Sequence, residues 1–249
     1  MRFTSHRDFA RAFERALRRA RVPMAYSAGF SPHPKISYAG AAPTGVASRA
    51  EYLEIGLAAE ADPDQLRAAL DAALPPGLDV LQVVAATDPK AGLAERLEAS
   101  LWRVELPGVA PEAAAAAGDR LLALADAPVE RATKDGRRTI DTRAAIVALT
   151  WADPGVPGSD APAGPTSAEP GATGLCAIMH MVVRHTTPAV RPDDVVAALR
   201  AHAGLSTPEP ARVTRMAQGR LPAQGTDGRA AHQIELHDPL AADLAAARS

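Results

Sequence analysis

Apolar residues along this chain switch from helical to alternating spacing and back, and a similar order then recurs. The first pass opens on a helix. Ser5 is placed to cap it, and Asp8, three residues on, completes a capping-box pattern and suits the positive helix end. Phe9, Phe13, Ala16, Leu17 and Ala20 recur at helical spacing, and Pro23 stops the run. Short strands are expected over 24–27, 36–41 and 51–57, the last with Leu53, Ile55 and Leu57 on one face. Asp62-Pro63 opens a second helix with Leu66, Ala69, Leu70, Ala73 and Leu74 as its apolar stripe, and a strand is expected over 78–84.

In the second pass, 101–106 alternates like a strand and 111–125 reads as a helix. A hairpin is expected within 129–142 at Asp135-Gly136, a dipeptide suited to tight primed turns. Strands at 146–151 and 175–184, a helix at 192–202 and a strand at 211–217 complete the order. The expected fold is α+β, with two tandem ferredoxin-like (βαββαβ) halves. The first lacks most of its first strand, since only Arg2, Phe3 and Thr4 precede Ser5. The expected boundaries are 1–88 and 98–220, followed by a poorly ordered tail over 221–249. Residues 152–174 hold five prolines and five glycines and read as a flexible insertion in the second half.

With 249 residues the chain can bury two small cores, and with aromatics at only 4% those cores must rest on Leu, Val and Ala. Cys176 is the single cysteine, so neither an intrachain disulfide nor a thiolate zinc site or iron–sulfur cluster can be built from this chain alone. No apolar run reaches the ~20 residues of a membrane span. No signal-peptide-like stretch stands at the N-terminus, and a cytoplasmic location is expected. Phosphate-cradling Gly-Lys loops, nucleophile elbows and dinucleotide-binding glycine patterns are missing, which removes the common enzyme classes.

Charge is unevenly spread. The whole chain carries a net −2, yet its first 35 residues hold eight cations against Asp8 and Glu14. Arg7, Arg11, Arg15 and Arg18 follow at spacings of four, four and three, which sets them along one helical stripe that could track a phosphate backbone. The plainer reading is a solvated helix face. Beside it stands Phe30-Ser31-Pro32-His33-Pro34-Lys35, where two prolines stiffen the backbone around an aromatic ring, a hydroxyl, an imidazole and an ammonium. A stiff loop loses little entropy on binding, so Phe30, Ser31, His33 and Lys35 join the arginines as candidate contacts for RNA or a partner protein. Three further readings stay open: a connection with no function beyond its stiffness, a protein-docking adaptor, or an acid–base site pairing His33 with His6 or Asp8. No metal site is expected.

Three segments together, Arg2-Phe3-Thr4-Ser5-His6-Arg7-Asp8, Phe13 to Ala20 and Tyr26 to Ile36, resemble the bacterial radical-SAM-linked protein family. The likeness continues through Pro43-Thr44-Gly45 and 51–55, and returns faintly at Lys134 and Asp141-Thr142-Arg143. It is specific over roughly the first 85 residues. The resemblance implies a partner: a radical SAM enzyme on a separate chain, acting on RNA or the translation apparatus. It also implies a strand before Arg2, so that the full protein would begin upstream of Met1. No cofactor is expected here, since the cluster motif of such enzymes needs three cysteines. Ser5, His6, Asp8, Phe30, Pro32, His33, Pro34 and Lys35 match the family's characteristic positions, and the resemblance assigns none of them a role.

Overall fold

The computed structural model describes residues 6–88, 92–134, 136–152, 175–223, 225–226 and 228–248. The chain is mixed α+β and divides into two compact units, Met1–Leu97 with His237–Ser249, and Glu98–Leu236. Among the described residues no helix is long and apolar enough to cross a membrane.

The first unit opens on α1 (His6–Arg19). Ser5, the expected cap, lies outside the described residues. Phe13 and Leu17 are buried against Leu66 and Leu70 of α2 (Pro63–Ala73) and against Ile36, Leu53 and Ile55 of two paired strands. Those strands are β1 (Ile36–Ala39) and β3 (Tyr52–Ile55), antiparallel with Ile36 opposite Ile55, while β2 (Ala47–Ser48) is a two-residue strand between them in sequence. The start of α2 follows its sequence. Asp62 accepts the N–H of Gln65 at 2.9 Å, and Pro63 takes a position whose amide would have no partner in the helix.

Two expected strands of this unit do not form. Over 24–27 the backbone makes only isolated bridges, Met24 to Leu57 and Tyr26 to Pro34. Over 78–84 there is no ladder, because the Val80 N–H goes to the Asp71 carboxylate at 2.8 Å instead of to a neighbouring strand. Val80 and Val83 still pack on the α1–α2 core, so the apolar pattern reports burial without pairing.

The C-terminal residues also belong to this unit. In α5 (Ala241–Ala246) the buried Asp243 accepts the Thr87 N–H at 2.9 Å and its hydroxyl at 2.7 Å, and pairs with Arg96. Burial raises the carboxyl's pKa, and the Thr87 and Arg96 donors outweigh it, holding the group below the ordinary carboxylate value. This clasp occupies a stretch expected as a loose tail.

The second unit follows the expected order closely. Its strands are β4 (Ala99–Pro107), β7 (Ile146–Trp151), β8 (Cys176–Arg184) and β9 (Arg212–Gly219), lying side by side as β9-β4-β8-β7 with every neighbour antiparallel. Helix α3 (Pro111–Leu122) links β4 to the strands that follow, and α4 (Pro192–Ala203) links β8 to β9. On β4, Trp102, Val104 and Leu106 are buried and alternate with half-buried Leu101, Arg103 and Glu105, as expected where two sheet faces differ in cover. Residues after Leu221 cover part of the sheet. A 3-10 turn (Ala231–Gln233) and Ile234 pack on Ala99 and Val182, and burying Ile234 is worth roughly 1.5–3 kcal/mol. Between α3 and β7 stands a two-stranded ribbon, β5 (Pro128–Thr133) with β6 (Gly136–Asp141). Its last pair is Thr133 with Gly136, so the reversal falls one residue earlier than the expected Asp135-Gly136, and Asp135 lies outside the described residues. The Pro/Gly-rich stretch is likewise outside them from residue 153 to 174.

Candidate functional site

The candidate contacts of the first unit sit on two elements. At about 100° per residue, positions 7, 11, 15 and 18 fall within an arc of roughly 80° on α1, opposite Phe13, Ala16 and Leu17. All four arginines are exposed, as are Arg19 and Arg21. Arg18 pairs with Glu14 across one turn at 3.4 Å. Arg7, Arg11 and Arg15 have no carboxylate partner among the described residues. Asp8 is exposed on the same helix, and nothing is described of the His6 side chain.

The loop is held at its neck by backbone bonds. Ser27 N–H donates to the His33 carbonyl at 2.9 Å, and His33 N–H donates to Ser27 Oγ at 3.0 Å. One step further down, three segments of the chain meet in a closed triangle. Ala25 N–H donates to Gly56, Gly56 to Lys35, and Lys35 to Ala25, at 2.8, 2.9 and 2.9 Å. Gly56 makes room for this convergence, since a Cβ there would stand 3.1 Å from Lys35 Cβ. Beyond the neck, Gly29 adopts φ +127°, a conformation open to glycine, and the chain turns back with Phe30 fully exposed. Ser31, Pro32, His33 and Lys35 are exposed as well. Tyr26, at 53% exposure, puts a second ring on the neck. Phe30, Ser31, His33 and Lys35 are the loop residues expected from sequence; the Ser27 contact with His33 is visible only with the pairing across the neck.

Helix and loop are connected through β1, which begins three residues after His33. Tyr38 on β1 meets Phe9 of α1 edge-on at 5.9 Å, and Phe9 in turn stacks on Phe13. Burial pushes the Tyr38 phenol upward, with the Glu14 charge adding to it. Thus the residues that anchor α1 on the sheet leave its arginine face outward.

Of the expected acid–base pairing of His33 with His6 or Asp8, the His6 side chain lies outside the described residues, and His33 and Asp8 share no direct hydrogen bond. The His33 imidazole makes no hydrogen bond or ion pair among the described residues, and no three His, Cys, Asp or Glu side chains among them are grouped to hold a metal. Two shallow concavities of about 490 Å³ lie in the second unit, and arginine is the one ionisable side chain lining either of them.

Histidine contacts in the second unit were not foreseen. Buried His180 stacks edge-on against His232 at 5.9 Å, and Ser100 Oγ lies 2.8 Å from His185 Nε2. Both pairs join residues about 50 to 85 positions apart, a separation that no local pattern reports.

The first unit thus displays cations and rings on a pinned loop neck and an amphipathic helix. By its sequence the chain belongs to a family described as "Uncharacterized protein conserved in bacteria" (DUF2344), whose model matches residues 1–192. No curated protein and no solved structure matches it.

Proposed function

We propose that this chain is a non-catalytic binding module that holds RNA against the arginine face of α1 and the tip of the 27–33 loop. It works beside a radical SAM enzyme carried on a separate chain, in the modification of RNA or of the translation apparatus. The observation that carries the RNA reading is Phe30, a fully exposed ring at the tip of a loop with a pinned neck. Exposed aromatic rings gain little for a fold, whereas a base stacked on one is worth about 1–3 kcal/mol. Arg7, Arg11 and Arg15 supply uncompensated charge for phosphates in the same unit. The radical SAM partner rests on the resemblance carried by Tyr26 to Ile36 and the α1 segment.

We read the second unit as a ferredoxin-like half, supported by its β-α-β-β-α-β order and the strand order β9-β4-β8-β7. The first unit would be a degenerate half, with α1, β1, β3 and α2 in the corresponding order.

The test compares Phe30→Ala with Phe30→Trp. Alanine is expected to weaken single-stranded RNA binding roughly ten- to a hundredfold, and tryptophan to retain it, with thermal stability unchanged in both. Equal RNA affinity across wild type and both variants would remove the stacking role. For the partner, His33→Ala and Lys35→Ala are expected to reduce co-purification with the radical SAM enzyme; undiminished recovery would assign that contact elsewhere.

A further inference from the structure

Outside the first unit, one element presents charge with nothing to bury. The β5–β6 ribbon is anchored at its base and, midway along β5, by Arg131. Val129 and Ile140 are buried at the base, and the Thr142 hydroxyl donates to the Ala127 carbonyl at 2.9 Å. Asp141 accepts the N–H groups of Ala127 and Arg143 at 2.9 and 3.0 Å, and His202 Nε2 sits 2.7 Å from the Pro128 carbonyl. From Ala132 to Thr139 every described residue is exposed, and none is a large apolar side chain. An isolated two-stranded ribbon is marginal in water, so a distal half that buries nothing adds no core stability.

The charges on that half are arranged against the ladder's own interest. Arg131 and Arg138 stand directly opposite each other, a like-charge cross-strand pair that is destabilising in itself. Arg131 is neutralised, since its guanidinium holds the buried Asp194 carboxylate at 2.7 Å and the Ala189 carbonyl at 3.0 Å. Arg138, across the ladder, has no carboxylate partner among the described residues, and neither has Lys134 at the tip. Arg137 pairs with Glu130 at 2.9 Å, but both are largely exposed, and such a pair contributes ~0–1 kcal/mol and is readily exchanged.

We infer that the tip of the β5–β6 ribbon is a second anion-contacting element, in which Lys134, Arg137 and Arg138 take phosphates of the RNA backbone. Guanidinium forks bind phosphate oxygens in pairs, and the ladder fixes the backbone from which the exposed Arg138 extends. A ribbon two strands wide reaches phosphates along one flank of an RNA strand, where sequence-independent contacts are made. The inference rests on the RNA-binding reading and extends it to the second unit.

The experiment uses the full chain and a short labelled single-stranded RNA of mixed sequence, followed by fluorescence anisotropy over a sodium chloride series. One variant carries Lys134→Glu, Arg137→Glu and Arg138→Glu; a second carries Lys134→Ala and Arg138→Ala, which adds no negative charge. Circular dichroism melts check that both fold. Expected are an affinity loss of roughly tenfold or more for the first, a smaller loss for the second, and a slope of log affinity on log salt reduced by about 0.7 for each contact removed. If both ribbon variants match wild type while α1 arginine variants weaken binding, the ribbon inference fails and the module reading stands. If wild type binds no RNA, both fall. A ribbon variant that loses polyglutamate binding and keeps RNA binding also overturns the inference, since an acidic protein is then the partner.

Discussion

Asp243 shows how one buried carboxylate secures an end of the chain. Its pKa is held below the ordinary value of about 3.9 by the Thr87 and Arg96 donors. The folded state therefore binds that proton less readily than the unfolded state. The stabilisation is complete above the ordinary carboxylate pKa and is lost as pH falls through the lower folded value. Asp243→Asn, which strands the Arg96 guanidinium, is expected to destabilise the first unit by roughly 3 kcal/mol near neutral pH. In urea unfolding the gap from wild type should close as the solution is acidified. A second residue-scale test lies at Gly118, within α3. A Cβ there would stand 2.5 Å from Trp151 Nε1 and 3.1 Å from Leu149 Cδ2. Alanine in a helix interior ordinarily gains up to about 1 kcal/mol over glycine, but here overpacking reverses the sign. Gly118→Ala is expected to lose roughly 1–3 kcal/mol, read from the unfolding midpoint by tryptophan fluorescence.

At the scale of elements, the start of α2 offers a clean measurement. Asp62→Ala removes the acceptor for Gln65 N–H and is expected to cost about 1 kcal/mol in the denaturation midpoint. That cap, and the Pro63 after it, were legible in the sequence because capping is a local contract between neighbours. The second-unit strands at 146–151 and 175–184 were legible for a similar reason: continuous β-branched and apolar runs have few alternatives. The expected strand at 78–84 failed on a contact nine residues away, Asp71 to Val80, which competes for the amide a ladder would use. At 24–27 the chain contributes bridges to two partners, Leu57 and Pro34, without a ladder to either. The candidate site divides along the same line. Its arginine stripe and Phe30 followed from spacing and composition. The Ser27–His33 neck and the Arg131–Arg138 opposition became visible only with the pairing register.

Across the whole molecule, a net charge of −2 hides an N-terminal segment of opposite sign, so the RNA binding we propose is local and weakens with salt. The core supports that display from beneath: Phe13 and Leu17 fix α1 on α2 and the β1–β3 pair, with the arginines on the far side. The Arg7→Glu, Arg11→Glu and Arg15→Glu triple variant should therefore leave the fold intact, because none of the three side chains is buried. The most direct measurement is the affinity of full-length chain for single-stranded RNA across a salt series, wild type beside this variant. The account predicts a steep salt dependence for wild type, with affinity lost and the slope flattened by about 2 in the variant. Equal affinity and equal slope in both proteins would contradict it, and leave α1 as a solvated helix face.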